Sequence, residues 1–367
     1  MTVVVTGGTG FIGGALLRQL RAGAGVSPGP TGNSTPNQSP SASDGPVRAL
    51  VRRPEDAARL SALGVTPVCG DLTTGAGLTE LVAPGAVIYH VAARVDMVGR
   101  WADFHATTVL GTRRLLDAAL PQRPTRFVYV SSASVYDPRF AATGVAAGLT
   151  PERPARHNFY ARAKLAAEQL VRTRCDAAGV PWTIVRLGFV YGPGNRPLRA
   201  RLVPLLTRGQ LRLIGSGANR IATVYVDDAA RALLLAGTHP AAAGRTYDVA
   251  SAERVTQAEF LAATATALGF PPPTRTVPRT IAWTAAALAE AWAALTGGVP
   301  TYTRAMVTLM GADQVVDAGA ITRELGWRAQ TTFAAGIAQL AAERPVPPRC
   351  DEAASAAPAP VRHEAHI

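Results

Sequence analysis

Lysine is almost absent from this chain. Of 37 basic residues among 367, one is a lysine, Lys164, and the remaining 36 are arginines. Cysteine is scarce too: Cys69, Cys175 and Cys350 lie far apart and are odd in number. That excludes a disulfide framework and fits reduced thiols. Acidic residues are outnumbered, 25 against 37, leaving a formal charge of +12 and a pI near 10.5. The arginines are scattered, however, with nothing denser than pairs such as Arg52-Arg53 and Arg113-Arg114. Nucleic-acid binders concentrate such charge in a stripe with interleaved aromatics, so no nucleic-acid partner is expected. An anionic small molecule or membrane surface suits scattered charge better. The sequence opens directly into a strand, so no signal peptide is read and a cytoplasmic location is expected.

What is present is globular: 48% hydrophobic and 17% charged residues. Thr2–Thr6 is a short β-branched run, followed by Gly7-Gly8-Thr9-Gly10-Phe11-Ile12-Gly13-Gly14 and a helical pattern to Arg21. Glycines at 7, 10 and 13 suit a tight turn, backbone approach to a pyrophosphate, and close packing of helix on strand. The phosphates would sit at the positive end of that helix. Residues 23–46 are Gly, Pro, Ser, Thr and Asn with little to bury, and read as a disordered insertion. Strands at 47–51, 65–70, 86–90, 126–131 and 182–187 alternate with helices at 54–63, 107–119 and 158–178. The fold class is therefore α/β, a Rossmann-type doubly wound parallel sheet. Residues 1–190 form its nucleotide-binding domain, and 191–344 are mainly a smaller substrate-binding lobe. Within that lobe, 222–250 partly return to the first domain. Residues 345–367 read as a disordered tail.

Tyr160 and Lys164 are four apart in the 158–178 helix, so they share one face. A compact ammonium beside a phenol is a role that arginine fills poorly. At the end of the second strand, where an acidic residue would accept hydrogen bonds from an adenosine ribose, stand Arg52 and Arg53. Two guanidiniums suit a 2′-phosphate, so NADP(H) is favoured and NAD(H) is the alternative. Asp71, closing the third strand, is placed to accept from an adenine amino group. No metal site is read. The segment 281–296 is apolar apart from Glu290 and a few threonines, too short and interrupted to span a membrane. Packing over a lipophilic pocket is one reading of it; peripheral membrane contact is a second, and an ordinary core helix a third.

The glycine loop, Asp71, His90-Val91-Ala92-Ala93, Ser131-Ser132-Ala133-Ser134-Val135-Tyr136, Tyr160–Lys164 and Arg186–Pro193 occur in a familiar order. It resembles that of the extended short-chain dehydrogenases/reductases, the NAD-dependent epimerase/dehydratase superfamily. The resemblance covers residues 1–340 apart from the insertion. The stretch 95–104, the apolar helix and Asp317 through Leu325-Gly326-Trp327 look most like the 3β-hydroxysteroid dehydrogenase-like branch. The resemblance implies that Ser132 hydrogen-bonds the substrate oxygen and that Tyr160 is general acid or base. Lys164 would bind the nicotinamide ribose and lower the tyrosine's pKa. It implies cofactor contacts from Gly7, Thr9, Gly10, Phe11, Ile12, Gly13, Leu72, Val91, Ala92, Ala93, Thr108 and Leu187, besides Tyr160 and Lys164. Thr108 stands where the family usually has asparagine, and Leu187 where many members have proline. The expected activity is hydride transfer between nicotinamide and a lipophilic secondary alcohol or ketone, steroid-like or a 2-alkyl-3-oxo acid. A nucleotide-sugar epimerase or dehydratase is the alternative, and a non-catalytic NADP-sensing protein a third reading. A homodimer is open.

Overall fold

The computed structural model describes residues 1–22, 45–95, 98–300 and 302–342. The tail read at 345–367 and all but the last two residues of the insertion lie outside these. Seven strands form one parallel sheet: β1 (Val3–Thr6), β2 (Val47–Val51), β3 (Thr66–Cys69), β4 (Val87–His90), β5 (Arg126–Ser132), β6 (Trp182–Leu187) and β7 (Arg245–Val249). Their order is β7-β6-β5-β4-β1-β2-β3, every neighbouring pair being parallel. Every residue of β1, β4 and β6 is buried, as a sheet covered on both faces requires. At the edge, β3 carries Pro67, whose missing N–H would break the ladder of a central strand.

Side-chain alternation divides the core in two. Val3, Val5, Val128 and Val130 pack with α1 (Phe11–Ala22) on one face, while Val4, Ile88, Phe127 and Tyr129 point to the other. The second helix, α2 (Pro54–Ser61), follows β2. The opposite face is covered by α3 (Gly111–Ala119) and α4 (Phe159–Ala178), through Leu115, Leu116, Ala167, Val171 and Cys175. A further helix, α5 (Val226–Thr238), joins α1 on the first face, and β7 then adds to the sheet beside β6.

The helix expected at 107–119 begins earlier and is not uniform. A turn of α-helix at Trp101–Phe104 runs into a π-helix, His105–Leu110, before α3. Such π segments recur at functional sites. The apolar helix α6 (Arg279–Thr296) buries only Ala286 and Ala293. Ile281, Leu288, Trp292 and Leu295, spaced to share one face, are 59%, 67%, 70% and 84% exposed. The exposure of these large side chains corrects the reading of 281–296 as an ordinary core helix. Alanines face the protein because they allow close approach, and the bulky residues are left outside. Among the described residues no helix is long and apolar enough to cross a membrane.

Candidate active site

The carboxyl ends of β1, β2, β3 and β4 share one edge of the sheet, and the sequence-predicted cofactor residues gather there. Gly7 has φ +74°, and a Cβ on it would lie 2.8 Å from the Ala92 backbone nitrogen. A Cβ on Gly13 would lie 2.1 Å from the Gly7 carbonyl oxygen. Gly10 N–H donates to the Gly7 carbonyl at 3.0 Å, closing the turn under the start of α1, where Phe11 and Ile12 stand half-buried. This bare backbone cradle at a helix N-terminus fits a dinucleotide pyrophosphate. Arg52 and Arg53 are exposed at the end of β2. Arg59, which sequence reading passed over, reaches from α2 to the Thr9 carbonyl at 3.1 Å. Asp71 uses Oδ1 to accept from both the N–H and the hydroxyl of Thr73, at 2.7 and 2.8 Å. That oxygen holds its own turn, and Leu72 beside it is buried. Val91, Ala92 and Ala93 leave β4 half-buried.

His90 ties these parts together, and sequence reading gave it no role. The Thr112 hydroxyl donates to the Thr108 carbonyl at 2.6 Å, so it can only accept from His90 Nε2, 2.9 Å away. The proton thus sits on Nε2, and Nδ1 accepts from the Thr6 hydroxyl at 2.7 Å. Thr6 Oγ1 in turn accepts from Ala92 N–H at 3.3 Å. Burial, with Lys164 adding to it, pushes the imidazole pKa down to about 3, so His90 is neutral. Thr108 lies in the π-helix with its hydroxyl accepting from Arg94 N–H at 3.4 Å. The residue replacing the family's asparagine is therefore committed to the β4 loop.

Ser132 closes β5, opposite Leu187 at the end of β6. Its Oγ accepts from the N–H and hydroxyl of Ser134, at 3.2 and 3.0 Å. Asn158 caps α4, accepting from Ala161 N–H at 3.0 Å, and so sets where Tyr160 emerges. Burial raises the Tyr160 pKa, and a hydrogen bond from Ser132 opposes that rise. Lys164 is 2% exposed, donates to the Val130 carbonyl at 2.6 Å, and lies 5.0 Å from the Tyr129 ring. Burial lowers its pKa to about 7, and Glu168 acts against that. The structure brings Ser132, Tyr160 and Lys164 together. In this structure burial governs the Tyr160 phenol, and the Lys164 ammonium is turned to the Val130 carbonyl.

Behind Lys164 lies a buried ionic cluster. Arg186, fully buried on β6, donates to Glu168 through Nε at 2.9 Å and Nη2 at 2.5 Å, and to Glu152 at 2.5 Å. Arg172 joins both carboxylates. The Arg186 guanidinium lies 4.8 Å from the Tyr136 ring centroid, and the Tyr136 hydroxyl donates to Asp248 at 2.7 Å. Burial lifts the Asp248 pKa to about 7. On the other side, Trp283 of α6 stands edge-on to His157 at 6.5 Å, three residues before Tyr160. Arg304 covers the same indole at 5.4 Å and pairs with Glu290 at 2.7 Å.

The model of the NAD dependent epimerase/dehydratase family matches residues 3–250. The chain belongs to that family. It is an NAD(P)-dependent enzyme of the extended short-chain dehydrogenase/reductase type. A 2-alkyl-3-oxoalkanoate reductase of Stenotrophomonas maltophilia (strain K279a) is 28% identical over 352 residues, 93% of this chain and 99% of that protein. The 4-hydroxy-2-methyl-3-oxo-4-farnesyl-3,4-dihydroquinoline-1-oxide ketoreductase of Stigmatella aurantiaca is 30% identical over 93% of this chain and 96% of its own length. Among solved structures, DesIV, a dTDP-glucose 4,6-dehydratase of Streptomyces venezuelae with NAD and TYD bound, is 26% identical. It superposes with a TM-score of 0.69, covering 93% of this chain and 96% of that one. Both chemistries thus occur among proteins similar to this one.

Proposed function

We propose that this protein is an NADP(H)-dependent reductase or dehydrogenase of a lipophilic ketone or secondary alcohol, of the 2-alkyl-3-oxo acid or 3β-hydroxysteroid kind. The observation that carries the reading is one face of α4, with half-buried Tyr160 and buried Lys164 one turn apart beside Ser132. Bound at the glycine cradle, the nicotinamide cofactor supplies the hydride. As charge grows on the substrate oxygen, Ser132 donates a hydrogen bond to it and the Tyr160 hydroxyl gives up its proton. Lys164 can turn from the Val130 carbonyl toward a ribose hydroxyl and places positive charge near the phenolate left behind. Exposed Arg52 and Arg53, with Arg59 anchored at Thr9, support a 2′-phosphate on the adenosine side.

The two near-full-length reductases support a ketone substrate. A nucleotide-sugar substrate would need cations free for a second diphosphate. Arg220, one residue suited to that role, is already bound by Asp313 at 2.5 Å and by the Ala142 carbonyl. NADPH oxidation against 3-ketosteroids, 2-alkyl-3-oxo acids and nucleotide-sugar ketones, repeated with NADH, tests the reading. Turnover of an apolar ketone with NADPH is expected, and Tyr160→Phe should reduce it at least about a hundredfold. Turnover confined to the sugar compounds would overturn the substrate class, and a clear preference for NADH would overturn the role of Arg52 and Arg53.

A further inference from the structure

Tyr160, Lys164, Glu168 and Arg172 follow one another at four-residue intervals, so the reactive face of α4 continues inward as a line of charge. Lys164 and Glu168 are 2% and 0% exposed. A lysine so buried loses its hydration, and only a nearby negative charge keeps its proton. The groups around Lys164 offer few candidates. β4 contributes neutral His90, β5 contributes Tyr129 and the Val130 carbonyl, and α4 itself contributes Tyr160 and Glu168. Glu168 is the carboxylate among them. It is fixed by two hydrogen bonds from Arg186 on β6 and one from Arg172. Beyond it lie Glu152, Tyr136 and, on β7, Asp248. The cluster then holds three cations, Lys164, Arg172 and Arg186, against three carboxyl groups, Glu152, Glu168 and Asp248.

We propose that Glu168 is a positioning residue for the reaction, its carboxylate held by Arg186 so that Lys164 keeps its charge beside Tyr160. The inference rests on the reading of Tyr160 and Lys164 given above, and deepens it. Arg186 fixes where the carboxylate stands, and Glu168 acts on the reacting phenol only through Lys164. Surface carboxylates could not serve, because water would screen them.

Having one lysine makes the test direct. In the full chain labelled with ¹³Cε-lysine, the Lys164 resonance is the only lysine signal, and its shift with pH reads the protonation of that ammonium. The wild-type midpoint is expected near 7. Glu168→Gln, which keeps the shape but removes the charge, should lower it by about 1 unit or more. The alkaline limb of kcat should move down by the same interval, leaving turnover roughly tenfold lower at pH 7.5. Glu168→Asp should move the midpoint less. An unmoved midpoint in folded Glu168→Gln overturns the proposal. Should that variant fail to fold, an unmoved midpoint in Glu168→Asp overturns it equally. The resonance is read without turnover, so an inactive wild type with a Glu168-dependent midpoint would refute the catalytic reading while leaving the electrostatic coupling in place.

Discussion

The helices α4 and α6 are of similar length, 20 and 18 residues, and each departs from the usual amphipathic pattern in the opposite direction. The first takes charge inward: Lys164 and Glu168 are buried, and Arg186 meets them from the sheet. The second takes bulk outward, with Leu288, Trp292 and Leu295 exposed and Ala286 and Ala293 against the protein. A buried charge costs stability unless it is paired, and it is kept where chemistry needs it. An exposed apolar stripe costs little in the folded monomer but leaves a surface unsatisfied by its own chain. Thus α4 spends its irregularity on the reaction and α6 on the outside of the molecule. Trp283 of α6 stands against His157, in the segment that leads into α4 just ahead of Tyr160.

Breaking the inward charges should have the largest effect. Arg186→Met leaves Glu168 and Glu152 only the partly exposed Arg172 as a shared cation, and the loss should be about 3–5 kcal/mol in urea unfolding. If it cost less than about 1 kcal/mol, α4 would not differ in kind from an ordinary core helix. Lys164→Met sharpens the contrast, since it should abolish turnover and yet stabilise the fold. The Lys164 pKa falls from 10.5 in the unfolded chain to about 7 in the folded one. Between these values the unfolded chain binds the extra proton, so the penalty is full below pH 7 and fades as pH rises toward 10.5. The variant should therefore gain on the order of 1–3 kcal/mol at pH 6, after losing the bond to Val130, and lose about 1 kcal/mol above pH 10.5, where only the lost bond counts. Equal gains at both pH values would break the argument. The smallest effects belong to α6. Ala286→Leu should cost about 1–3 kcal/mol by overpacking the inward face, whereas Leu288→Ser should change stability by less than about 0.5 kcal/mol. Thermal melts of the two variants check whether the helix is inverted as described.

The legible parts of the fold were those whose pattern is local. Val47–Val51 and Trp182–Leu187 were bounded correctly because short β-branched runs sit between turn residues. The glycine cradle and the Tyr160–Lys164 pair were legible for a similar reason: spacing alone places each on its element. The burial of Glu168 and Arg186 was not, since charged residues are normally solvated and nothing local marks Arg186 as an exception. Glu168 did carry a cue, standing four residues after Lys164 and so on the same face. The inversion of α6 was hidden because alanine and leucine count alike as apolar, and only packing decides which faces in. The role of His90 depends on partners at Thr6 and Thr112, which pairing of β1 with β4 brings to it.

The π-helix His105–Leu110 works as a phase setter for the helix that follows it. One residue more or fewer would turn α3 by about 100° about its axis. Leu115, Leu116 and Ala119 would swing out of the core together, and Thr112 would leave His90. This stretch can therefore accept substitutions but not changes of length. Any insertion tolerated near the site should fall on the loop side of Trp101 rather than inside the turn.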